Sequence, residues 1–296
     1  MAIYYVNGEF VPAEQACLPV NDLAILRGFA VFELLRTYGG RPFFLDAHIA
    51  RLEDSARHIG LTVPWTRDQL TGIVGRTLAR NDFAEANIRI VVTGGPSDDF
   101  MTPGDRPGLL VLVSGVPELP SRWYTEGAKI ITTVLERPIT GAKSINYIPA
   151  TIAMAEARRK GAIEAVYVSR QGQVQEGTTS NLFIFDDQGL ATPGRDILPG
   201  ITRRVILDLA APRFAVSIRD ISYTELCQAR EVFITGTNKG LVPVVQVDDR
   251  TIADGRPGPR TRALMAALEQ RTARFATGQS EPEKDRTGLP DTARRS

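Results

Sequence analysis

The chain has 296 residues, 43% apolar and 23% charged, with a formal net charge of +1, which suits a globular protein with room for two cores. Near-neutral charge gives no reason to expect nucleic acid or an anionic membrane as partner, and Cys17 and Cys227 are too few for a disulfide framework or a zinc site. No run approaches the roughly 18 apolar residues of a membrane span, and the start lacks a basic segment followed by an apolar core, so a cytoplasmic protein is expected.

Ile3 to Val6, Asn7-Gly8 and Glu9 to Val11 read as a hairpin around an N-G turn, and Val31 to Tyr38, Gly39-Gly40 and Arg41 to Phe44 repeat the pattern. Asp46 is expected to cap a helix to about Ile59, with Ile49, Leu52, Ala56 and Ile59 on one face and Gly60 at its end. Thr66-x-x-Gln69 is a capping box for a second helix carrying Leu70, Ile73, Val74 and Leu78. Asn87 to Val92 and Leu109 to Ser114 read as buried strands. Residues 1–116 thus form a small α+β domain, and the Pro-bounded stretch Val116-Pro-Glu-Leu-Pro120 supplies a linker, set at 117–121.

A larger α/β domain is expected over 122–275. Its strands are Lys129 to Thr133, Ala165 to Val168, Gln173 to Glu176, Leu182 to Phe185, Glu231 to Thr235 and Val242 to Val247. Helices are expected near Pro149 to Lys160, from about Thr202, and near Arg260 to Ala273. Residues 276–296 turn to Gly, Ser, Pro, Asp, Glu and Arg and are expected to be disordered, since they offer little apolar surface to offset ordering entropy.

Only five lysines occur, and Lys143 opens K-S-I-N-Y. A lysine amine can form a Schiff base once burial and nearby cations bring its pKa toward neutrality. Glu176 closes a strand before Gly177. A carboxylate there can keep a heteroaromatic nitrogen protonated, making the ring an electron sink. The hydroxyls of Gly177-Thr-Thr-Ser-Asn181 can hold that acid in place. Gly200-Ile201-Thr202-Arg203 opens an apolar helix, whose free N–H groups suit a phosphate. Thr237, in I-T-G-T-N, offers a second hydroxyl, and Arg51, in H-I-A-R-L, a guanidinium. His48 and His58 share one helix at a ten-residue spacing, so no triad or metal set is built around them and both read as structural or exposed.

With K-S-I-N, E-G-T-T-S-N-L-F, L-P-G-I-T-R and T-G-T in that order, the chain resembles the class IV, fold-type IV aminotransferases over roughly residues 3–270. That group holds D-amino acid transaminases, branched-chain aminotransferases, (R)-amine transaminases and aminodeoxychorismate lyases. The resemblance implies pyridoxal 5′-phosphate (PLP), with Lys143 as Schiff-base lysine and proton carrier. It implies Glu176 at the ring nitrogen, Leu198 against the ring, and Arg51, Ile201, Thr202 and Thr237 at the phosphate. Tyr147 matches a branched-chain tyrosine that contacts the cofactor. A homodimer is implied, its site completed by a loop of the neighbouring subunit.

Substrate signals within the family are mixed. K-S-I-N has the D-amino acid spacing, whereas V-F-E-L-L-R-T departs from the branched-chain V-F-E-G-I-R at the glycine. The loop T-G-G-P-S-D-D-F-M lacks the arginine and histidine of familiar D-amino acid enzymes, and Asp98 and Asp99 would repel a carboxylate if they faced it. Arg27, Arg89 and Lys239 are therefore the candidate carboxylate cations, with Thr237 and Asn238 beside them. Arg89 lies in an apolar strand, where a guanidinium would need a designated partner. The reading is a transaminase moving an amino group from an α-amino acid to a keto acid such as 2-oxoglutarate or pyruvate, leaning to D-amino acids. A branched-chain L-amino acid enzyme is the alternative. An (R)-amine transaminase, a lyase and a non-catalytic binding protein on the same scaffold stand behind it.

Overall fold

The computed structural model describes residues 1–279 apart from 136 and 138; the residues of the expected tail from 280 onward lie outside the described residues. The first half is built from β1 (Ile3–Val6), β2 (Glu9–Pro12), α1 (Leu23–Arg27), β3 (Ala30–Tyr38), β4 (Arg41–Pro42), α2 (Leu45–His58), α3 (Arg67–Leu78), β5 (Ala86–Thr93) and β6 (Gly108–Gly115). Its six strands form one antiparallel sheet in the order β2-β1-β6-β5-β3-β4.

Alternation along β3 decides what this sheet offers each side. Val31, Glu33, Leu35 and Thr37 are buried, whereas Leu34, Arg36 and Tyr38, on the opposite face, are half-buried. Ile49, Leu52 and Ala56 of α2 join Val31, Leu35 and the α3 residues Leu70, Ile73 and Val74 in one core. Each Val, Leu or Ile of this core contributes about 1.5–3 kcal/mol on burial. The Thr66–Gln69 capping box opens α3 as expected. Asp46 does not cap α2: Phe44 stands at the N-cap in a left-handed conformation, and Asp46 sits one residue inside, where it complements the helix dipole. The short α1, capped by Asp22, has too few residues for a periodic signal.

The second half comprises α4 (Arg122–Thr125), β7 (Ala128–Val134), α5 (Ile148–Arg159), β8 (Glu164–Val168), β9 (Gln173–Gly177), β10 (Asn181–Phe185), β11 (Leu190–Thr192), α6 (Ile201–Ala210), β12 (Val216–Ile218), β13 (Ile221–Ser222), α7 (Tyr223–Gln228), β14 (Glu231–Gly236), β15 (Gly240–Val247), β16 (Arg250–Thr251) and α8 (Pro259–Ala276). The strands run in the order β12-β11-β10-β14-β15-β7-β8-β9-β13, with β16 on β15. The sheet is mixed, parallel at β11/β12, β15/β7 and β7/β8. The last helix runs to Ala276, three residues past its expected end, and Phe275 packs edge-on against Phe43 of the first half.

The halves meet at the lysine run. Val31 bridges Ser144, the Phe32 N–H donates to the Lys143 carbonyl at 2.9 Å, and the Ile145 N–H donates to the Ala30 carbonyl at 3.1 Å. Thr237 donates its hydroxyl to the Leu34 carbonyl at 3.1 Å. Gly28 (φ 64°), just before β3, lies so close to Asn146 that a Cβ would sit 2.7 Å from its amide oxygen. A side chain there would be strained by the left-handed backbone and would displace the Asn146 amide.

Candidate active site

One cleft, with an empty volume of about 530 Å³ and open to solvent, lies at this junction, within the size range of small-ligand sites. Its walls bring together Arg51, Lys143, Tyr147, Glu176, Leu198, Ile201, Thr202 and Thr237, every cofactor residue expected from the sequence. They come from α2, the loop before α5, β9, the loop into α6 and its start, and the β14–β15 turn.

Lys143 is half-buried, its backbone N–H held by the Ser55 hydroxyl of α2 at 3.0 Å and its amine 4.7 Å from the Phe32 ring centre. Desolvation, then the Arg51 cation, bring its pKa down to about 8 against the pull of Glu33 and Glu176. A workable fraction of neutral amine is thus present near neutrality.

Glu176 is 4% exposed. One carboxylate oxygen accepts from Arg137, and the other from the Leu198 N–H at 2.9 Å and the Asn181 amide at 3.3 Å. Burial pushes its carboxyl up, with Arg137 the strongest opposing influence. The hydroxyls expected to hold it serve another acid: Thr178, Thr179 and Ser180 all donate to Glu164, fully buried on β8. Gly200 is required beside this network, because a Cβ would overlap the Asn181 amide oxygen at 1.9 Å.

Arg51 donates through Nε and Nη2 to the two Glu33 oxygens, each at 2.7 Å, and through Nη1 to the Pro199 carbonyl at 3.0 Å. His48 Nδ1 lies 2.7 Å from the same carboxylate, so the buried histidine belongs to the support of Arg51. His58 is exposed and bonded to the Asp54 carbonyl. Across from Arg51, α6 starts at Ile201 with Gly200 as N-cap, which leaves its first-turn N–H groups and the Thr202 hydroxyl at the cleft.

PLP fits this set. It needs an amine, an anionic partner for its ring nitrogen and donors for a phosphate; Lys143, Glu176 and the α6 start with Arg51 supply them. The buried Thr235 hydroxyl, also on the cleft wall, has no hydrogen-bond partner among the described residues, as expected of a group kept for a ligand.

The substrate cations separate. Arg89 is exposed on β5, not buried as its apolar surroundings suggested: Ile88, Ile90 and Val92 face the core and Arg89 the other side. Its guanidinium stands 4.9 Å from the centre of the Phe32 ring that also meets the Lys143 amine. Lys239 instead pairs with buried Glu164 at 2.7 Å, so its charge is already compensated. Arg27 is exposed and bonds its neighbour's carbonyl, and neither Arg27 nor Arg89 is part of the cleft wall. Asn238 keeps a buried side-chain oxygen without a partner among the described residues. Asp99 is turned into its own loop by Ser97, Met101 and Thr102, which removes the repulsion expected of it.

Arg137, Glu33, Glu164 and Thr235 escaped the sequence reading. Glu33 lies inside the quoted V-F-E-L-L-R run, and a lone acid on the core face of a strand opposite H-x-x-R was a usable signal. Arg137 gave none beyond its nearness to Lys143.

The class IV amino-transferase family model matches residues 30–247. A D-alanine aminotransferase of Listeria monocytogenes is 34% identical over 267 residues, 88% of this chain and 92% of that protein. A Methanocaldococcus jannaschii protein provisionally named a branched-chain-amino-acid aminotransferase is 35% identical over 88% of this chain and 93% of its own. Among solved structures, a branched-chain amino acid aminotransferase from Thermoproteus uzoniensis with norvaline superposes with a TM-score of 0.85 at 28% identity, covering 95% of this chain and 96% of that one. The Escherichia coli branched-chain enzyme gives 0.84 at 29%, covering 97% of each. A further branched-chain enzyme, from T.th., was solved with pyridoxamine 5′-phosphate and superposes at 0.85 and 28% identity, over 94% of this chain and 95% of that one. With its lysine, acid and helix start on one cleft wall, the chain belongs to the class IV aminotransferases and has their fold-type IV architecture.

Proposed function

We propose that this aminotransferase, with PLP held in the cleft, takes an amino group from an α-amino acid, D-amino acids preferred, and passes it to a keto acid such as 2-oxoglutarate or pyruvate. The observation that carries the substrate reading is Arg89: an exposed guanidinium sharing the Phe32 ring with Lys143, and with no carboxylate partner among the described residues. PLP when bound supplies a carbonyl for amines and a ring that takes up an electron pair. Lys143 then carries the proton at the substrate α-carbon, its backbone N–H held by the Ser55 hydroxyl and its amine beside the Phe32 ring. Glu176 faces the ring nitrogen, and Arg51, Ile201, Thr202 and Thr237 hold the phosphate. Leu198 and Tyr147 bound the ring. Arg89 takes the substrate carboxylate, Arg27 is the second candidate, and Asn238 meets the amine. Lys239 contributes through the Thr179 turn that it braces.

The two halves are read as domains 1–116 and 122–275, joined by 117–121, and the active species as a homodimer. Among the described residues no helix is long and apolar enough to cross a membrane.

Exposing purified protein to D- and L-alanine, D-glutamate, L-leucine and (R)-phenylethylamine, and following the cofactor absorbance, tests the donor. D-Alanine and D-glutamate are expected to discharge it fastest; discharge by L-leucine alone would establish the branched-chain alternative. Turnover without any keto acid acceptor would make the protein a lyase. Arg89→Ala is expected to raise KM for amino acids about 10–100-fold, in line with a lost charged contact, and to leave neutral amines near wild type. An unchanged ratio removes Arg89 from the carboxylate.

A further inference from the structure

Among the described residues three groups hold the Glu176 carboxylate, of which one is charged and one reaches back to the lysine run. Arg137 donates through Nη1 to Glu176 and through Nη2 to the Ala142 carbonyl at 2.6 Å, the residue before Lys143. One planar guanidinium thus spans the acid on β9 and the backbone that carries the amine. We propose that Arg137 is a positioning residue that locks Glu176 and the Lys143 run into one frame and keeps the acid ionised for the cofactor's ring nitrogen. The inference rests on the reading of Glu176 as the partner of that nitrogen.

The surroundings leave this task to Arg137. Glu176 is buried, which disfavours its charged form. The charged and titratable groups whose fields reach it are Arg137, Lys143, Arg203 on α6, Tyr147 at the start of α5 and Tyr167 on β8. Nearby Glu164 is already compensated by Lys239. The two tyrosines are neutral at pH 7, their hydroxyls pushed upward in pKa chiefly by burial. Lys143 gives up its charge when it acts as a base. Arg203 donates to Thr192 and the Pro193 carbonyl and does not touch the acid. Among the described residues Arg137 is the one guanidinium that contacts the carboxylate. Its fork also matters: a guanidinium can serve two acceptors in fixed directions, which a lysine ammonium cannot.

The test is made first on the apoprotein. Glu176 is followed by NMR with glutamate labelled at the side-chain carboxyl, the signal identified by its loss in Glu176→Gln. In Arg137→Met its midpoint is expected to rise by at least about one unit, a tenfold loss of the ionised form, and in Arg137→Lys to return toward wild type. PLP affinity, measured by fluorescence quenching at pH 7, is expected to fall about tenfold in Arg137→Met. An unmoved Glu176 titration overturns the proposal, even if affinity falls, because that pattern marks a structural lesion. Glu176→Gln separates the underlying reading: if it binds PLP as tightly as wild type, Glu176 is not the nitrogen's partner, while the apoprotein titration still decides the role of Arg137.

Discussion

Lys143→Met abolishes transamination and at the same time stabilises the apoprotein. The loss of activity is expected to be on the order of 10⁴-fold, since one group is both attachment point and proton carrier. The gain in stability comes from the cost of keeping an ammonium in the cleft. Its pKa is lowered from 10.5 to about 8 in the folded protein, by desolvation first and Arg51 second. Below pH 8 the unfolded chain and the folded protein both carry the proton, and folding bears the full penalty, up to about 3 kcal/mol at 1.36 kcal/mol per unit. Between pH 8 and 10.5 the folded protein has shed the proton and the unfolded chain has not, so the penalty fades. Urea unfolding of both apoproteins at pH 7 and above pH 10.5 measures this: the advantage of the variant should be present at the first and gone at the second. A variant no more stable at pH 7 would show that the amine is not desolvated. The same lowering predicts that covalent capture of PLP by the apoprotein speeds up about tenfold per pH unit below 8 and levels off above it.

Glu33→Gln is expected to cost about 3–5 kcal/mol of stability at pH 7, the largest stability loss of any single site substitution considered for this cleft. Glu33 is fully buried and Arg51 is 8% exposed, so an amide leaves the guanidinium desolvated and uncompensated. Burial alone would push the Glu33 carboxyl up, but Arg51, and then His48, hold it well below the usual carboxylate range. A carboxylate lowered in this way contributes its stability above the unfolded value near 4.5 and loses it as pH falls toward the folded one. The gap between wild type and variant should therefore narrow below about pH 4.5. Replacing Glu33 and Arg51 together by leucine should recover most of the stability while phosphate affinity stays lost. Equal losses in the single and double variants would mean that the pair is not what the fold relies on.

How legible the site was depends on distance along the chain. Glu176, Thr202 and Thr237 could be placed because each sits at a strand end or helix start that its own neighbours define, and Lys143, in the loop before α5, through the order of the motifs that follow it. Partnerships across the chain could not. The hydroxyls of Thr178 to Ser180 were within a few residues of Glu176 and 14–16 from Glu164, yet they went to Glu164, because β8 pairs with β9 across a register shift between Val166 and Val168. Local spacing carries no information about such a shift. Arg89 is the opposite case. Period-two alternation in N-I-R-I-V-V already places it opposite the core, and reading the run as a wholly buried strand hid that. The two- and three-residue strands β11, β12, β13 and β16 are shorter than any alternation that could announce them, whereas β4 was marked by the Gly39-Gly40 turn before it.

The hydrogen bonds around Lys143 also say which body the amine moves with. Its carbonyl is bonded to Phe32, its N–H to Ser55, and its neighbour Ser144 bridges Val31, so the catalytic nitrogen is anchored to the six-stranded sheet and its helix. The acid belongs to the ten-stranded sheet. Arg137 ties that acid back to the lysine run, so a sliding motion between the two layers would load this guanidinium before it changed the amine-to-acid gap. A substitution at a remote point of that seam, such as the Phe43–Phe275 contact, would then retune turnover without touching a single atom of the reaction centre.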